Sequence, residues 1–161
     1  MVGLKWCCKQ KEGIKLINPN ENLAKGYIEM AEKAIGTMCR EKNFNMQFAI
    51  SACYYSMYYS LYSVLMKIGI KCEIHSCTLE IMKTLLKDFY SKEDFKLINK
   101  AFDVRNTAQY YVDKIIEKGD IEFIMANAPP FLSKPRSILA KINEKDITGI
   151  KNEIKKLQIN P

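Results

Sequence analysis

The chain has 161 residues, of which 48% are hydrophobic and 27% charged, and it carries a formal net charge of +7. This composition suits one folded domain spanning 1–161 and excludes a disordered or fibrous chain. No stretch approaches the roughly 20 apolar residues of a membrane span, and the opening "MVGLKWCCKQKEG" has no long apolar run before Lys9. A cytoplasmic location without membrane contact is therefore expected.

The first fifteen residues are basic, with Lys5, Lys9, Lys11 and Lys15 against Glu12. The first helix is expected over 19–40. Asn18 or Asn20 can cap it, and Glu21 suits its first turn. Leu23, Tyr27, Met30, Ala34 and Met38 recur at three- and four-residue intervals, as one helix face does. Asn43 can cap a second helix over about 44–68, closed by Gly69. This helix, "FNMQFAISACYYSMYYSLYSVLMKIG", is apolar or aromatic almost all round, which places it inside a bundle or at a subunit interface. Tyr55, Tyr59 and Tyr62 share one of its faces, and Tyr54 and Tyr58 a neighbouring one. They can serve as a core and dimer seam, or as a platform on which bases stack.

Residues 69–75 form a connector. Ser76 can cap a third helix of about three turns, carrying Leu79, Met82, Leu85, Leu86 and Phe89. Ser91 with Asp94 resembles a capping box and opens a long helix over about 92–118, with Gly119 past its end. Asp120 can cap the next segment, and Pro129-Pro130 must break or kink whatever crosses them. Two further helices are expected near 131–143 and 146–157, in a second basic region where seven cations meet Glu144, Asp146 and Glu153. Such basic ends attract polyanions such as RNA, or simply keep the protein dispersed. No strand alternation and no repeat is visible. The fold class expected is all-α: an up-and-down bundle of four to five main helices, core 20–118, with a C-terminal helical extension over 120–157.

Six cysteines are present. Cys39 and Cys53 fall within helical patterns as small buried hydrophobes, and no disulfide framework is expected. "CEIHSC" places Cys72, His75 and Cys77 within six residues, but zinc needs a fourth ligand and the spacing fits no structural zinc pattern. No metal ligand and no cofactor is assigned.

The fourth helix contains "FDVRNTAQYYVD". Leu97, Ala101, Val104, Ala108, Tyr111 and Ile115 form its expected buried stripe. At about 100° per residue, Arg105 lies about 80° to one side and Gln109 about 40° further, with Asn106 and Tyr110 beyond. These four side chains make a continuous polar strip beside the core. An arginine there needs a partner: an acid, a helix C-terminus or a bound phosphate.

"AISACYYSMYYSLYSVLMKIGI", then "IHS", then "RNTAQYY" together resemble the HEPN domain, in particular small prokaryotic HEPN proteins with "YYAMF"-like and "RxxADY"-like stretches. The resemblance covers 20–118. It implies a dimerising helical bundle and, for many members, a metal-independent RNase acting as a toxin beside a nucleotidyltransferase partner. In those members an arginine holds the phosphate, and a histidine four to six residues later assists attack by a ribose 2′-hydroxyl. Arg105 fills the arginine place and Asn106 the polar place, but Tyr110 or Tyr111 stands where the histidine would be. Tyrosine, with a pKa of about 10, is a poor base at neutral pH. The expectation is a dimeric nucleotide- or RNA-binding module using Arg105, Asn106, Gln109, Tyr110 and Tyr111. The alternatives are an atypical RNase with Arg105, Asn106 and Tyr110 as catalytic residues, and a scaffold without ligand. His75 is expected to be structural.

Overall fold

The computed structural model describes residues 2–159; Met1, Asn160 and Pro161, which close the expected 1–161 domain, lie outside that range. Its elements in chain order are α1 (Leu4–Lys9), β1 (Lys15–Leu16), α2 (Glu21–Glu41), α3 (Met46–Ile68), β2 (Ile70–Lys71), α4 (His75–Thr84), α5 (Lys92–Tyr110), α6 (Lys118–Phe131), α7 (Ser133–Lys141) and α8 (Glu144–Ile159). This is an all-α bundle. Among the described residues the sheet content is a two-residue antiparallel ladder pairing Lys15 with Lys71 and Leu16 with Ile70, which corrects the expectation of no strands. Strands this short leave no alternation to read.

Helix α3 is the hub, with α2, α5, α6 and α7 packed around it. Between Ala49 and Ile68 all but Tyr55, Tyr59 and Lys67 are buried, as a nearly all-round apolar helix requires. Three serines would be costly there, but Ser56, Ser60 and Ser63 each donate to the carbonyl three residues back. The hub ends on Gly69, whose φ of 88° is a conformation glycine adopts at low cost.

Caps decide most of the boundaries. Asn20, not Asn18, caps α2 through Leu23 N. Asn45, not Asn43, caps α3 through Phe48 N at 3.2 Å. Helix α4 begins at His75, one residue before the expected cap Ser76, with no side-chain cap. The Ser91–Asp94 box opens α5 with both reciprocal bonds made.

Two stripes differ from expectation. On α2 the buried positions are Ala24, Ala31 and Met38, while Leu23 and Met30 are exposed. Ala24 and Ala31 let α2 close on α3, while Tyr27 packs against Tyr59 and Tyr62. Cys39, expected inside, is exposed. On α5 the buried residues are Ile98, Ala101, Val104 and Ala108, and the helix stops at Tyr110 rather than 118. Beyond Ala108 nothing covers the stripe: Ile115 is 93% exposed and Val112 99%. An unpacked run of aromatic and β-branched residues has little reason to stay helical. Gly119 therefore lies inside α6, Glu117 takes the cap position expected of Asp120, and Pro129 and Pro130 fall in the last turn of α6.

The N-terminal segment is fastened twice. Ile14 N donates to Cys7 O, folding residues 10–14 back on α1. Gly13 is required there, because a Cβ would lie 1.8 Å from that oxygen. Cys7 is bonded to Cys77 of α4, with Cα atoms 5.7 Å apart, so the expectation of no disulfide is corrected. The partners are 70 residues apart in sequence, and only the folded turn and ladder bring them within bridging range. At the other end, α8 buries Ile147, Ile150 and Ile154, and Lys151 donates to Ile17 O at 3.1 Å. Among the described residues no helix is long and apolar enough to cross a membrane.

Candidate functional site

Helices α3 and α5 run antiparallel, so the start of α3 meets the end of α5. Gln109 donates to Ser51 Oγ at 2.9 Å, and the Tyr54 and Phe102 rings are 5.6 Å apart. Arg105 sits between these two contacts, half-buried. Its Nη2 donates to the Tyr55 hydroxyl at 3.0 Å, and Nη1 donates to Asn106 Oδ1 at 3.0 Å. The guanidinium also lies 5.5 Å from the Tyr55 ring centre and 5.4 Å from that of Tyr110, the distance range of cation–π attraction.

What Arg105 lacks matters more. Its Nε is buried and has no hydrogen-bond partner. Among the described residues no carboxylate lies within 4.0 Å of it, although eight other cations have one. The charge is held by two neutral oxygens and two ring faces. None of these neutralises it, so the seam carries net positive charge.

Behind Tyr55 lies an aromatic stack. His75 lies flat on Tyr58, with centres 4.2 Å apart and planes 6° apart, and meets Tyr55 edge-on at 5.9 Å. Its Nδ1 is 2.7 Å from the Tyr54 hydroxyl. Burial, with the charge of Arg105 adding to it, holds the imidazole down at about 4, so it is neutral at physiological pH. Burial pushes the Tyr54 and Tyr58 phenols far up, and they remain neutral.

The expected polar strip is thus divided. Arg105, Asn106 and Tyr110 come together. Gln109 turns to Ser51 and lines a 190 Å³ cavity with Gln47, Phe48 and Ala108. Tyr111 lies past the helix end, with the Lys114 ammonium 3.7 Å from its ring centre. The sequence reading missed two participants. Tyr55 was legible only as one tyrosine among five. His75 lies 30 residues before Arg105, and no local pattern joins them. "CEIHSC" does not act as one set either: Cys77 bonds Cys7, His75 joins the stack, and Cys72 points its thiol at Ile74 O, 3.6 Å away. Among the described residues no group of three or more His, Cys, Asp or Glu is placed to hold a metal ion.

Comparison with known proteins agrees with this architecture. The sequence pattern of the HEPN domain matches residues 23–138. The chain is also 31% identical over 124 residues to a protein of Methanocaldococcus jannaschii named "Putative toxin MJ0142", an alignment covering 72% of this chain and 81% of that one. The family match runs from the first turn of α2 into α7 and includes the α3–α5 seam with Arg105, His75 and the tyrosines. The chain belongs to the HEPN domain family.

Proposed function

We propose that this chain is a homodimeric RNA- or nucleotide-binding protein whose Arg105 seam holds a phosphate, and that it works beside a nucleotidyltransferase-domain partner. One observation carries the reading: a half-buried guanidinium with an orphaned Nε and no carboxylate beside it. Arginine's planar fork suits phosphate oxygens. Tyr110, 66% exposed, adds an aromatic face on which a base can stack. Near the start of α3 and the end of α5 Phe44, Phe48 and Val112 are exposed, and exposed apolar side chains there offer area for self-association. The partner rests on family membership alone.

The test is titration of the purified protein with a fluorescent single-stranded RNA and with ATP at two salt concentrations. Arg105→Ala should weaken binding, and the RNA affinity of the parent protein should fall with salt. Equal affinity of parent and variant would leave the scaffold reading.

A second reading, a metal-independent RNase toxin, is favoured by the kinship with a protein named a toxin and by His75. The imidazole is one ring away from Arg105, through Tyr55. With its proton on Nδ1 it donates to Tyr54, and Nε2 keeps the lone pair that a base needs. Incubation of RNA with chelator separates the readings. Cleavage lost in both Arg105→Ala and His75→Gln supports the RNase, and intact RNA argues for the binder.

A further inference from the structure

The antiparallel α3–α5 seam continues one helical turn past Arg105. Gln109 follows Arg105 by four residues on α5, and Ser51 precedes Tyr55 by four on α3, each step being about 6 Å along its helix axis. These two residues enclose the 190 Å³ cavity together with Gln47, Phe48 and Ala108. The cavity is therefore the next turn along from both the guanidinium and the hydroxyl that receives its hydrogen bond. That separation is comparable with the span from a base to its own 5′-phosphate. Pockets that enclose a whole small ligand run from roughly 300 to 1,000 Å³. This smaller space suits one flat ring system, with the rest of the ligand outside it.

The polar wall of the cavity has a fixed orientation. Ser51 is 7% exposed and donates its hydroxyl hydrogen to Gln47 O at 2.9 Å. Its oxygen can then only accept, so the Gln109 amide must turn its nitrogen to it, as it does at 2.9 Å. That leaves Gln109 Oε1 and the second N–H without a partner among the described residues. One side chain thus offers an acceptor and a donor, and Gln109 is itself exposed, so a ligand can reach it. Phe48, 65% exposed, adds an aromatic ring to the same lining.

We propose that this cavity is a base pocket and that the seam takes an adenine nucleotide, an inference that rests on the reading of Arg105 as the phosphate holder. The base lies against Phe48. Its amino group donates to Gln109 Oε1, and the adjacent ring nitrogen accepts the second N–H, the two-point pairing that glutamine makes with adenine. The 5′-phosphate then falls to Arg105, one turn away.

The test is calorimetric titration of the full chain with four probes: AMP, UMP, ribose 5-phosphate, which lacks the base, and purine riboside 5′-monophosphate, which lacks only the amino group. AMP should bind at least tenfold more tightly than ribose 5-phosphate, the scale of one stacked base. It should also bind severalfold more tightly than UMP and than the analogue without the amino group. Gln109→Leu and Phe48→Ala should each weaken AMP about tenfold and leave ribose 5-phosphate unchanged, while Phe48→Tyr keeps the parent affinity. Both side chains are exposed, so these variants should melt with the parent, and light scattering should give the parent mass, since Phe44 and Val112 remain. Arg105→Ala should weaken AMP and ribose 5-phosphate alike. Equal affinities for AMP and ribose 5-phosphate overturn the base pocket and leave the phosphate seam standing. Tighter binding of UMP than of AMP, AMP affinity untouched by both pocket variants, or affinity lost in Phe48→Ala only together with a change of mass also overturns it. Absence of saturable AMP binding, or ribose 5-phosphate affinity that survives Arg105→Ala, overturns the seam reading as well.

Discussion

Arg105 and Arg136 carry the same side chain in opposite circumstances. Arg136, on the exposed C-terminal helices, is ion-paired with Glu32. Arg105, half-buried between α3 and α5, has only hydroxyl, amide and ring partners. Electrostatics alone would arrange this the other way, since water screens the exposed charge and burial penalises the unpaired one. Three of the seven C-terminal cations serve packing: Arg136 ties α7 to α2, Lys134 ties it to α5, and Lys151 reaches Ile17 O. Of these two arginines, the one left without an acid is Arg105 in the seam, where field lines run through low-dielectric walls and a guest anion would be held strongly.

The largest expected effect tests the frame around that seam. His75 lies two residues before Cys77, so the Cys7–Cys77 bond pins the start of α4 against the tyrosines. Removing it with Cys7→Ser plus Cys77→Ser opens a loop of 70 residues, and urea unfolding should show about 4 kcal/mol lost. An unchanged midpoint would mean that the bond does not constrain the chain.

Arg105→Ala comes next. A lost charge-assisted hydrogen bond should lower RNA affinity about tenfold or more, while stability should hold or rise, because no acid is left behind unpaired. A substantial loss of stability would mean that the guanidinium is structural after all. Tyr55→Phe removes one neutral oxygen from Nη2 and should weaken RNA binding by less, about threefold to tenfold.

Acid provides a finer test. The folded chain holds His75 at about 4, below its ordinary 6.5. Between those values the unfolded chain takes up a proton that the folded one refuses. Stability should therefore decline as pH falls from about 6.5, with the loss complete below about 4. In Arg105→Ala one of the two causes of the depression is gone, so His75 should titrate higher by NMR and the acid loss should shrink. The smallest effect belongs to Arg136→Ala: under about 1 kcal/mol by thermal melting, with unchanged RNA affinity.

Much of the fold was legible. The all-round apolar character of α3, its glycine stop and the Ser91–Asp94 box are local signals, and each is realised. The errors share one cause. The stripe of α2 was read from Leu23 and Met30, but the structure buries Ala24 and Ala31 and packs Tyr27 on the tyrosines of α3, a face turned slightly from the expected one. The helical pattern after Arg105 continued to 118, yet the helix ends where its burial partner ends. Arg105 and Asn106 could be picked out from residue type and angle, whereas Tyr55 and His75 could not.

By itself, then, the amino-acid order determined which segments coil and where most of them start and stop, since caps, glycines and apolar spacing act within a turn or two. Tertiary structure alone decided three things: that Cys7 finds Cys77, that His75 reaches the Tyr55 ring beside Arg105, and that among the described residues no carboxylate comes within 4.0 Å of that guanidinium. Each depends on which distant positions the packing of the helices brings together or keeps apart, and no local pattern encodes it.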